Sequence, residues 1–526
     1  MATDPSVLIS LDYAPGVQRD GTVFDSSSCI DALWCRWRLG RPRKIGGFSQ
    51  ITNTLVGVPR RIHMLYDGFR VFVHVGTTNG IQQFVLDPYG NLLNSADRTP
   101  VGFLPSPANG WTIDAIFDTT SAAVQLVAHY VQDVGFLSIP TTSVPLIGLL
   151  TDTAPLVPFS DPTPSSGTWV QPKISGGIVC VQPYVFDFDT AGLVQWSAPN
   201  LPLYLGVTGG TTGAGQARIS AQKIVQGMPI RGGGAQQPAV VFWTISEVIT
   251  GVFIGGTPVF AFSTLSPSSS ILSSDVIVEY DGLYFWAGVD RFLVFNGTVN
   301  EVPNKQNQDW FFDNINRAYA ARSFAFKVPR YGEIWFCAPL FDATECSHAV
   351  IFNVRENYWY DTILPNGGRS CGFTAQGIPF PLMGGVDPDG VHGYKLWLHE
   401  SGVDEVVGST VAPIRSFFEG PWLGAPKGQQ PNNEGSSIQM LEPDFTQRGD
   451  LTVTIIGAPN SRAPLQTGPA VPIKQVATTP QEQFPGFKQS SRLFRIRVES
   501  NELGGTYIAG KNILHTIPAK DMRMFS

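Results

Sequence analysis

Two carboxylates at alternate positions of one predicted strand suggest a recognisable kind of chemistry. Asp187 and Asp189, in Phe186-Asp187-Phe188-Asp189, are expected to share a face of the strand. Glycoside hydrolases use paired carboxylates, one as general acid and one as base or nucleophile. The sequence does not place a further partner, and the repeated Ser-x-Asp-x-Gly-x-Thr-Trp turns of sialidase propellers are absent. A glycan-binding or glycan-cleaving β-propeller therefore stays an alternative interpretation.

Other patterns that carry chemistry are incomplete. The seven histidines show no His-Glu-x-x-His spacing, and there is no Gly-x-Ser-x-Gly elbow. The glycine-rich stretch 206–216 lacks the Gly-Lys-Ser/Thr of a phosphate-binding loop, so we interpret it as a turn. Asp387-Pro388-Asp389-Gly390 has no downstream glutamate to complete a calcium loop, and is also interpreted as a turn. We predict no catalytic residue, no metal, no cofactor and no enzyme activity.

A short basic segment near the N-terminus is the densest positive stretch of the chain. One interpretation is a contact with nucleic acid or with an acidic partner surface. The other is an edge strand whose arginines deter aggregation, packed beside Trp34 and Trp37. Both interpretations stay open, and the candidate contact residues are Arg36, Arg38, Arg41, Arg43 and Lys44.

Composition indicates an all-β protein. Charged residues make up 15% of the 526 residues, while Gly (55) and Pro (41) are abundant, as in short strands joined by tight turns. Aromatic residues reach 11%, which is enough for a large core and is not a composition of disorder. A chain of this length predicts two to four domains.

The charge balance and the absence of targeting patterns limit the function classes. The formal net charge is −7, whereas a protein that grips DNA through its phosphates leans positive. A channel through which DNA slides is compatible with a mildly acidic wall. The six cysteines are scattered without a C-x-x-C pair, so free buried thiols are expected. We expect no signal peptide and no membrane segment, with synthesis in a cytoplasm.

The stretch from Tyr280 to Pro303 predicts a small β-meander. Its strands are expected at 283–287 and 291–295, with a third strand after the turn at Asn296-Gly297. Aromatic residues on both faces imply a sheet that is covered on both sides. Tyr66-Asp67-Gly68 opens an apolar strand in the same way as Tyr280-Asp281-Gly282, and their separation suggests five blades of about 43 residues.

These signals predict three regions. Residues 1–48 form an extended N-terminal arm, 49–408 a β-propeller-like domain, and 409–526 a C-terminal β-sandwich-like domain. The region of about 140–235 is interpreted as a possible insertion in the propeller. One convincing helix is expected at 308–321, where Trp310, Phe311, Asn314 and Ile315 recur at near-helical spacing.

A series of short motifs resembles the tail hub or nozzle proteins of short-tailed phages, also called packaged-DNA stabilisation proteins. The motifs follow one another in the order of that family, and 100–240 matches poorly. They are Gly40-Arg41-Pro42-Arg43-Lys44-x-Gly46-Gly47; the meander from Tyr280 to Asn300, which ends in an aromatic strand and an Asn-Gly turn; Trp310, Phe311 and Phe312; Glu333, Trp335 and Phe336; Val350 to Asn353; Tyr358-Trp359; Gly384-Gly385-x-Asp387 to Tyr394; His399-Glu400-x-Gly402-x-Asp404; Glu442-Pro443-Asp444-Phe445; and Arg492, Arg495 and Arg497 ahead of Gly510.

The resemblance implies a structural protein of the virion tail. Six copies would form a homo-oligomeric ring that extends the DNA channel below the portal and its adaptor proteins. The ring would close the channel after packaging, retain the DNA until ejection, and hold tail fibres, spikes or a needle. DNA would pass through it without sequence-specific binding.

Overall fold

The computed structural model describes most of the chain. The described residues are 7–24, 26–51, 55–107, 109–132, 143–161, 171–205, 213–230, 237–256, 258–374, 377–386, 394–424 and 435–519. The prediction of an all-β fold is confirmed, with 53% strand and 4% helix.

Seven short strands come first in the chain. They are β1 (Val7–Leu11), β2 (Ala14–Val17), β3 (Ser28–Cys29), β4 (Asp31–Leu33), β5 (Cys35–Arg38), β6 (Arg41–Lys44) and β7 (Phe48–Gln50).

Four four-stranded antiparallel sheets follow, each built from consecutive strands, and we call them blades 1 to 4. Blade 1 holds β8 (Pro59–Tyr66), β9 (Val71–Thr77), β10 (Gly80–Leu86) and β11 (Leu92–Asp97); blade 2 holds β12 (Asn109–Asp118), β13 (Ala123–Gln132), β14 (Leu146–Leu149) and β15 (Val157–Pro158). Blade 3 holds β16 (Gly177–Val181), β17 (Tyr184–Phe188), β18 (Leu193–Trp196) and β19 (Gly215–Arg218); blade 4 holds β20 (Ile224–Pro229), β21 (Ala239–Thr244), β22 (Val248–Phe253) and β23 (Phe260–Ser266).

Three further sheets, blades 5 to 7, continue the series. Blade 5 holds β24 (Ile277–Tyr280), β25 (Leu283–Ala287), β26 (Phe292–Phe295) and β27 (Val299–Glu301); helix α1 (Gln308–Asp313) and a 3-10 helix (Arg317–Arg322) follow it. Blade 6 holds β28 (Phe324–Val328), β29 (Glu333–Ala338), β30 (His348–Asn353) and β31 (Tyr358–Ile363). Blade 7 holds β32 (Arg369–Phe373), β33 (Leu382–Gly385) and β34 (Lys395–His399), and β35 (Glu405–Val407) and β36 (Thr410–Ala412) extend its sheet.

The seven blades form a closed, propeller-like circle. The first strands of blades 1 to 4 are neighbours in order, as are those of blades 5 to 7, and β32 of blade 7 packs on β8 of blade 1. Blades 4 and 5 meet where Gln226 donates to the Ser274 carbonyl (3.1 Å) and where the rings of Trp243 and Trp286 lie 5.6 Å apart. Strand β7 pairs antiparallel with β34 and so supplies the fourth strand of blade 7.

The meander at 280–303 has the expected strands and is covered on both sides. In β25, Tyr284 and Trp286 pack towards Trp243 of blade 4, while Phe285 packs towards Phe352 of blade 6. Successive side chains of a strand point to opposite faces, so a blade between two neighbours needs apolar residues at every position. This explains the unbroken aromatic run of the meander.

Two predictions about the propeller are corrected. Tyr66-Asp67-Gly68 and Tyr280-Asp281-Gly282 do occupy equivalent turns after a first strand, but these turns belong to blades 1 and 5. Four blade steps therefore separate them, and blades with long connections exceed 43 residues. The described part of 140–235 is not an insertion, since its strands complete blade 2, form blade 3 and open blade 4.

The C-terminal region holds β37 (Ser416–Glu419), β38 (Ser436–Glu442), β39 (Phe445–Arg448), β40 (Leu451–Ala458), β41 (Gln466–Thr467), β42 (Val471–Ile473), α2 (Pro480–Gln483), β43 (Gly486–Ser491), β44 (Leu493–Ser500), β45 (Thr506–Ala509) and β46 (Asn512–Pro518). Strands of the N-terminal segment enter its sheets: β1 pairs with β46, β4 with β37, and β6 with β45. Their apolar faces, including Ile438, Val453, Ile496 and Leu514, share one core. We call this unit the sandwich.

The predicted helix at 308–321 is divided in two. Helix α1 ends at Asp313, because Ile315 forms a β-bridge with Leu340 of the loop after β29. Asn316 then caps the 3-10 helix by accepting from the Ala318 amide (3.3 Å). Pairing with a neighbouring segment thus overrides the local helical spacing.

Gly47, directly before β7, is expected to tolerate no side chain. A Cβ atom there would lie 2.3 Å from the Asp404 carbonyl oxygen, which belongs to backbone and cannot rotate away. We predict that Gly47→Ala lowers the free energy of unfolding by about 1–3 kcal/mol, measured by urea denaturation. Gly486→Ala is the control, because its nearest neighbour would be 3.6 Å away. If Gly47→Ala and Gly486→Ala lowered the free energy of unfolding equally, the close packing of Gly47 on the 400–404 turn would be contradicted.

Candidate functional site

Arg36 on β5 lies inside the molecule between blade 6, blade 7 and the sandwich. Its side chain is 1% exposed. The Nε atom lies 2.8 Å from Oε1 of Glu333, at the start of β29. Nη1 donates to Oε2 of Glu400 at 3.0 Å, and Nη2 contacts the same carboxylate after β34. One arginine therefore joins two blades of the propeller to the N-terminal segment.

The carboxylate of Glu333 is held by further donors. Tyr360 donates its hydroxyl to Oε1 (2.5 Å), and the Trp335 indole donates to Oε2 (2.9 Å). Burial raises the pKa of Glu333, while the charge of Arg36 opposes that rise. Burial also opposes the charge of Arg36, but the carboxylates of Glu333 and Glu400 raise its pKa well above the ordinary value. The three residues form a buried ion triad.

The turn after β34 and the strand before β7 surround the triad. Gly46 donates its amide to Glu400 (3.2 Å), and its carbonyl accepts from the Trp34 indole (3.0 Å). The Trp34 ring lies 6.1 Å from that of Trp335. His399 accepts from Nε of Arg369 (3.0 Å), and burial, with the nearby Arg369 charge, lowers the pKa of His399 well below its ordinary value.

Asp404 links this region to the sandwich. Its carboxylate accepts from the Gly504 amide at 2.8 and 3.0 Å. Its carbonyl accepts from the amide of Phe48 (3.1 Å), and the Gly47 amide donates to Gly402 (3.0 Å). We call the residues Trp34, Arg36, Lys44, Gly46, Gly47, Glu333, Trp335, His399, Glu400, Gly402 and Asp404 the junction.

The aromatic motifs of blades 5 and 6 meet in a second place. Phe292 of β26 lies at their centre, with ring centroids 4.6–5.5 Å from those of Phe311, Phe312, Phe336 and Trp359. Helix α1 thus fixes the contact between two blades. This arrangement explains why aromatic residues recur in the helix and in both strands.

The five basic residues that the sequence singled out are divided by the structure. Arg36 and Lys44 are buried, and Nζ of Lys44 donates to the Gly505 carbonyl at 2.9 Å. These two cannot contact DNA or another protein, and for them the proposed contact is wrong. Arg38 and Arg41 are exposed, and Arg43 is half-buried.

Four arginines of this region lie around the ring of one tyrosine. The ring centroid of Tyr331, in the turn between β28 and β29, lies 3.7 Å from the guanidinium carbon of Arg36. The guanidinium carbons of Arg38, Arg43 and Arg330 lie 5.6, 5.7 and 5.4 Å from the same ring centroid. Burial lowers the pKa of Arg43, and although Tyr331 opposes this, the positive charges of Arg36 and Arg38 lower it further.

Asp187 and Asp189 occupy separate environments. Asp187 is 1% exposed in β17, and burial raises its pKa well above the ordinary value. Asp189 accepts from the amides of Ala191 and Leu193 (both 2.8 Å) and so shapes the turn after β17. The two carboxylates are therefore not presented together to solvent, because Asp187 is buried and Asp189 is engaged in the turn.

The remaining sequence patterns add little to the site. The stretch 387–390 and residues 206–212 of the glycine-rich stretch lie outside the described residues. Among the residues that the structure describes, no group of three or more His, Cys, Asp or Glu is placed to hold a metal ion. The six cysteines are buried and free, as expected. Within the described ranges, the helices are too short and too polar to cross a membrane.

The fold and the junction define the class of the chain: an all-β protein with a propeller-like body. No protein-family model matches the sequence, and no curated protein matches it either.

Sequence reasoning missed the residues that matter most in the junction. Glu333 opens the otherwise apolar run Glu333-Ile334-Trp335-Phe336-Cys337, and a buried carboxylate in such a strand requires a cationic partner. That signal was available. Its partner, Arg36, lies 297 residues away in sequence, and no local pattern connects the two.

The burial of Lys44 can be tested by measuring stability as a function of pH. Burial lowers its pKa to about 8, whereas Asp404 opposes this change. Between pH 8 and the pKa of 10.5 that the lysine has in the unfolded chain, Lys44 is mostly protonated in the unfolded state and mostly neutral in the folded state. Its contribution to the free energy of unfolding therefore rises with pH in this range. We predict that the unfolding free energy of wild type relative to Lys44→Met increases by about 1–3 kcal/mol between pH 7.5 and 10. Urea denaturation at both values measures it, and a constant difference would contradict the burial of a charged lysine.

Proposed function

We propose that this chain is a structural subunit of a phage tail hub or nozzle and has no enzymatic role. Six copies form a ring that extends and closes the DNA channel below the portal and its adaptor, and that retains packaged DNA until ejection. One observation carries the proposal. The motifs that resemble the hub family are scattered along the sequence, yet three of them meet in the junction, through Lys44, Gly46 and Gly47, through Glu333 and Trp335, and through His399 to Asp404.

The junction supports this proposal because it explains why those motifs would occur together. Glu333 and Glu400 hold the same arginine, and Asp404 holds the sandwich to the 400–404 turn. Downstream, Asp444 accepts from the amide of Lys511 (2.7 Å), beside Gly510. The motifs that meet in the junction thus contribute to fixing the propeller against the sandwich. A stiff subunit of two fixed units suits a wall that resists packaged DNA.

Ion pairs join the inner strand of blade 1 to other blades, so we place the proposed channel between subunits and not through the propeller. Arg61 on β8 of blade 1 contacts Asp275, which lies directly before β24 of blade 5. Arg60 on the same strand pairs with Glu345 of blade 6 (2.7 Å). These two ion pairs join blades that are not neighbours in the circle. A closed ring of subunits provides a separate axis.

Charge is consistent with a channel wall that lets DNA slide. The net charge is −7, and two of the five residues in the densest basic segment are buried in the junction. Strong phosphate contacts would hold the cargo in place.

Co-assembly tests the proposed function. Purified chain is mixed with the portal–adaptor complex of the phage that encodes it, and the mixture is separated by size. We expect the chain to bind the complex in a sixfold stoichiometry. The Arg36→Ala variant, whose junction is broken, should bind less, whereas Arg462→Ala on the exposed surface should bind like wild type. A wild-type chain that elutes as a monomer and never joins the complex would contradict the proposal.

A further inference from the structure

The two ends of blade 6 carry opposite chemistry. The turn 329–332 lies at one end of its strands, together with the turn 354–357. Helix α1 and the loop 339–347 lie at the other end, where Ile315 and Leu340 form a bridge. The length of the blade separates these two surfaces, and both belong to one packed sheet.

The first surface is the turn of the β5–β6 hairpin, and we call Arg38, Leu39 and Arg41 the cationic tip. Leu39 is 81% exposed and has a positive φ of 53°, an uncommon conformation for a leucine. The amides of Leu39 and Gly40 donate to Glu356 of blade 6 at 3.1 and 3.4 Å, so the turn is held on the blade. The tip is therefore fixed, exposed and both cationic and apolar.

The charges of this surface have no carboxylate partner among the described residues of the subunit. Across the described ranges, no carboxylate oxygen lies within 4.0 Å of a guanidinium nitrogen of Arg38, Arg41, Arg43 or Arg330. Glu356 lies near the tip, but it accepts from two amides and from the Tyr358 hydroxyl (2.6 Å). Arg38, Arg43 and Arg330 lie together around Tyr331 and repel one another, and an acidic partner would relieve that repulsion.

The second surface lies at the other end of the blade, and we call Asp309, Asp313, Asp342 and Phe341 the acidic end. The three aspartates are exposed, and Phe341 is 52% exposed. Asp309 and Asp313 lie four residues apart on α1, so they share a face. The Phe341 amide donates to the Asn314 carbonyl (2.8 Å), which joins the loop that carries Asp342 to the end of α1.

The cations near the acidic end are engaged. Arg317 donates to the carbonyls of Phe312 (3.0 Å) and Val289 (3.3 Å), and Arg291 lies 3.7 Å from Asp290. Asp290 adds a fourth exposed carboxylate to this end. Arg19, Arg415 and Arg497 line a pocket with Phe341, and each of them pairs with a carboxylate. The surface therefore stays acidic around an exposed aromatic ring.

We propose that the cationic tip of one copy docks on the acidic end of blade 6 of a second copy. Arg38 and Arg41 pair with Asp309 and Asp313, and Leu39 packs on Phe341. The inference specifies the subunit contact of the ring and to that extent rests on the proposed function. Two complementary surfaces at opposite ends of one blade cannot meet within a subunit. Between subunits they form a head-to-tail contact, which closes into a ring if its rotation allows.

Complementary charge reversals test this contact in the full-length chain. One variant, Arg38→Glu/Arg41→Glu, reverses the tip, and another, Asp309→Lys/Asp313→Lys, reverses the acidic end. Each alone places like charges together, and we expect about tenfold weaker self-association by analytical ultracentrifugation. Mixed in equal amounts, the two should recover assembly, because every contact of an alternating ring is again complementary. The control Arg462→Glu/Lys488→Glu makes the same charge change on the sandwich and should assemble like wild type.

The outcomes separate this contact from the proposed function. A wild-type ring that both reversals leave intact, or reversals that the mixture does not rescue, would overturn the contact and leave the function standing. A wild-type chain that is monomeric alone and with the portal–adaptor complex would overturn both. If the tip reversal abolishes binding of double-stranded DNA and leaves assembly unchanged, the tip is a nucleic-acid contact and the docking proposal is wrong.

Discussion

Replacing Arg36 with alanine is expected to lower the free energy of unfolding by about 3–5 kcal/mol at pH 7. The substitution leaves Glu333 and Glu400 buried beside each other without the cation that both contact. Glu333 is fully buried and cannot turn its carboxylate to water. Urea denaturation followed by tryptophan fluorescence measures the loss.

The exposed Arg462 provides the matched control for this experiment. Arg462→Ala should change the unfolding free energy by less than about 0.5 kcal/mol, as surface substitutions usually do. An Arg36→Ala protein as stable as this control would show that the triad does not hold the propeller to the N-terminal segment.

The loss of unfolding free energy caused by Arg36→Ala should depend on pH in a defined direction. Burial already raises the pKa of Glu333, and removal of Arg36 takes away the charge that opposes the rise. A carboxyl group with a raised folded pKa binds a proton at a pH where the unfolded chain has released it, so acidification favours the folded variant. The stability difference between wild type and Arg36→Ala should therefore shrink from pH 7 to pH 5. A difference that grows on acidification would be inconsistent with buried carboxylates.

Ser49→Pro is expected to destabilise the closure of the propeller by about 3 kcal/mol or more. Ser49 lies in β7, opposite Leu398 of β34 on one side and Val406 of β35 on the other. Proline has no amide hydrogen, and its ring does not fit in a strand with neighbours on both sides. Thermal unfolding and limited proteolysis of blade 7 measure the effect.

Ser49→Thr keeps the amide and favours an extended strand, so it should remain within about 0.5–1 kcal/mol of wild type. If Ser49→Pro behaves like Ser49→Thr, then β7 does not supply the fourth strand of blade 7.

The strands of the propeller were predictable because their pattern is local. Asp281-Gly282 and Asn296-Gly297 fix turns, and the aromatic residues between them require a sheet that is buried on both faces. The number of blades was not predictable from two equivalent turns, because the connections within blades 2 to 4 vary in length. Helix α1 was located correctly, but its end depends on the Ile315–Leu340 bridge, which a helical spacing does not reveal.

The junction shows where sequence reasoning stops. The basic segment was recognised, and so was its position beside Trp34 and Trp37, but neither interpretation placed Arg36 between two glutamates. Strands β4, β5 and β6 pair or pack with residues hundreds of positions away, so their burial depends on the sandwich. Arg38 and Arg41 lie in the same basic segment as Arg36, and only the folded structure shows that they are exposed while Arg36 is buried.

The most direct test of the central claim is an image of the assembled protein. Negative-stain class averages of the purified full-length chain, or of virions that contain it, should show a ring of six subunits around a central channel. The channel should lie between subunits, and each subunit should show a propeller body with the sandwich fixed beside it. Averages that show only separate monomers, or a channel that runs through the propeller itself, would contradict this account.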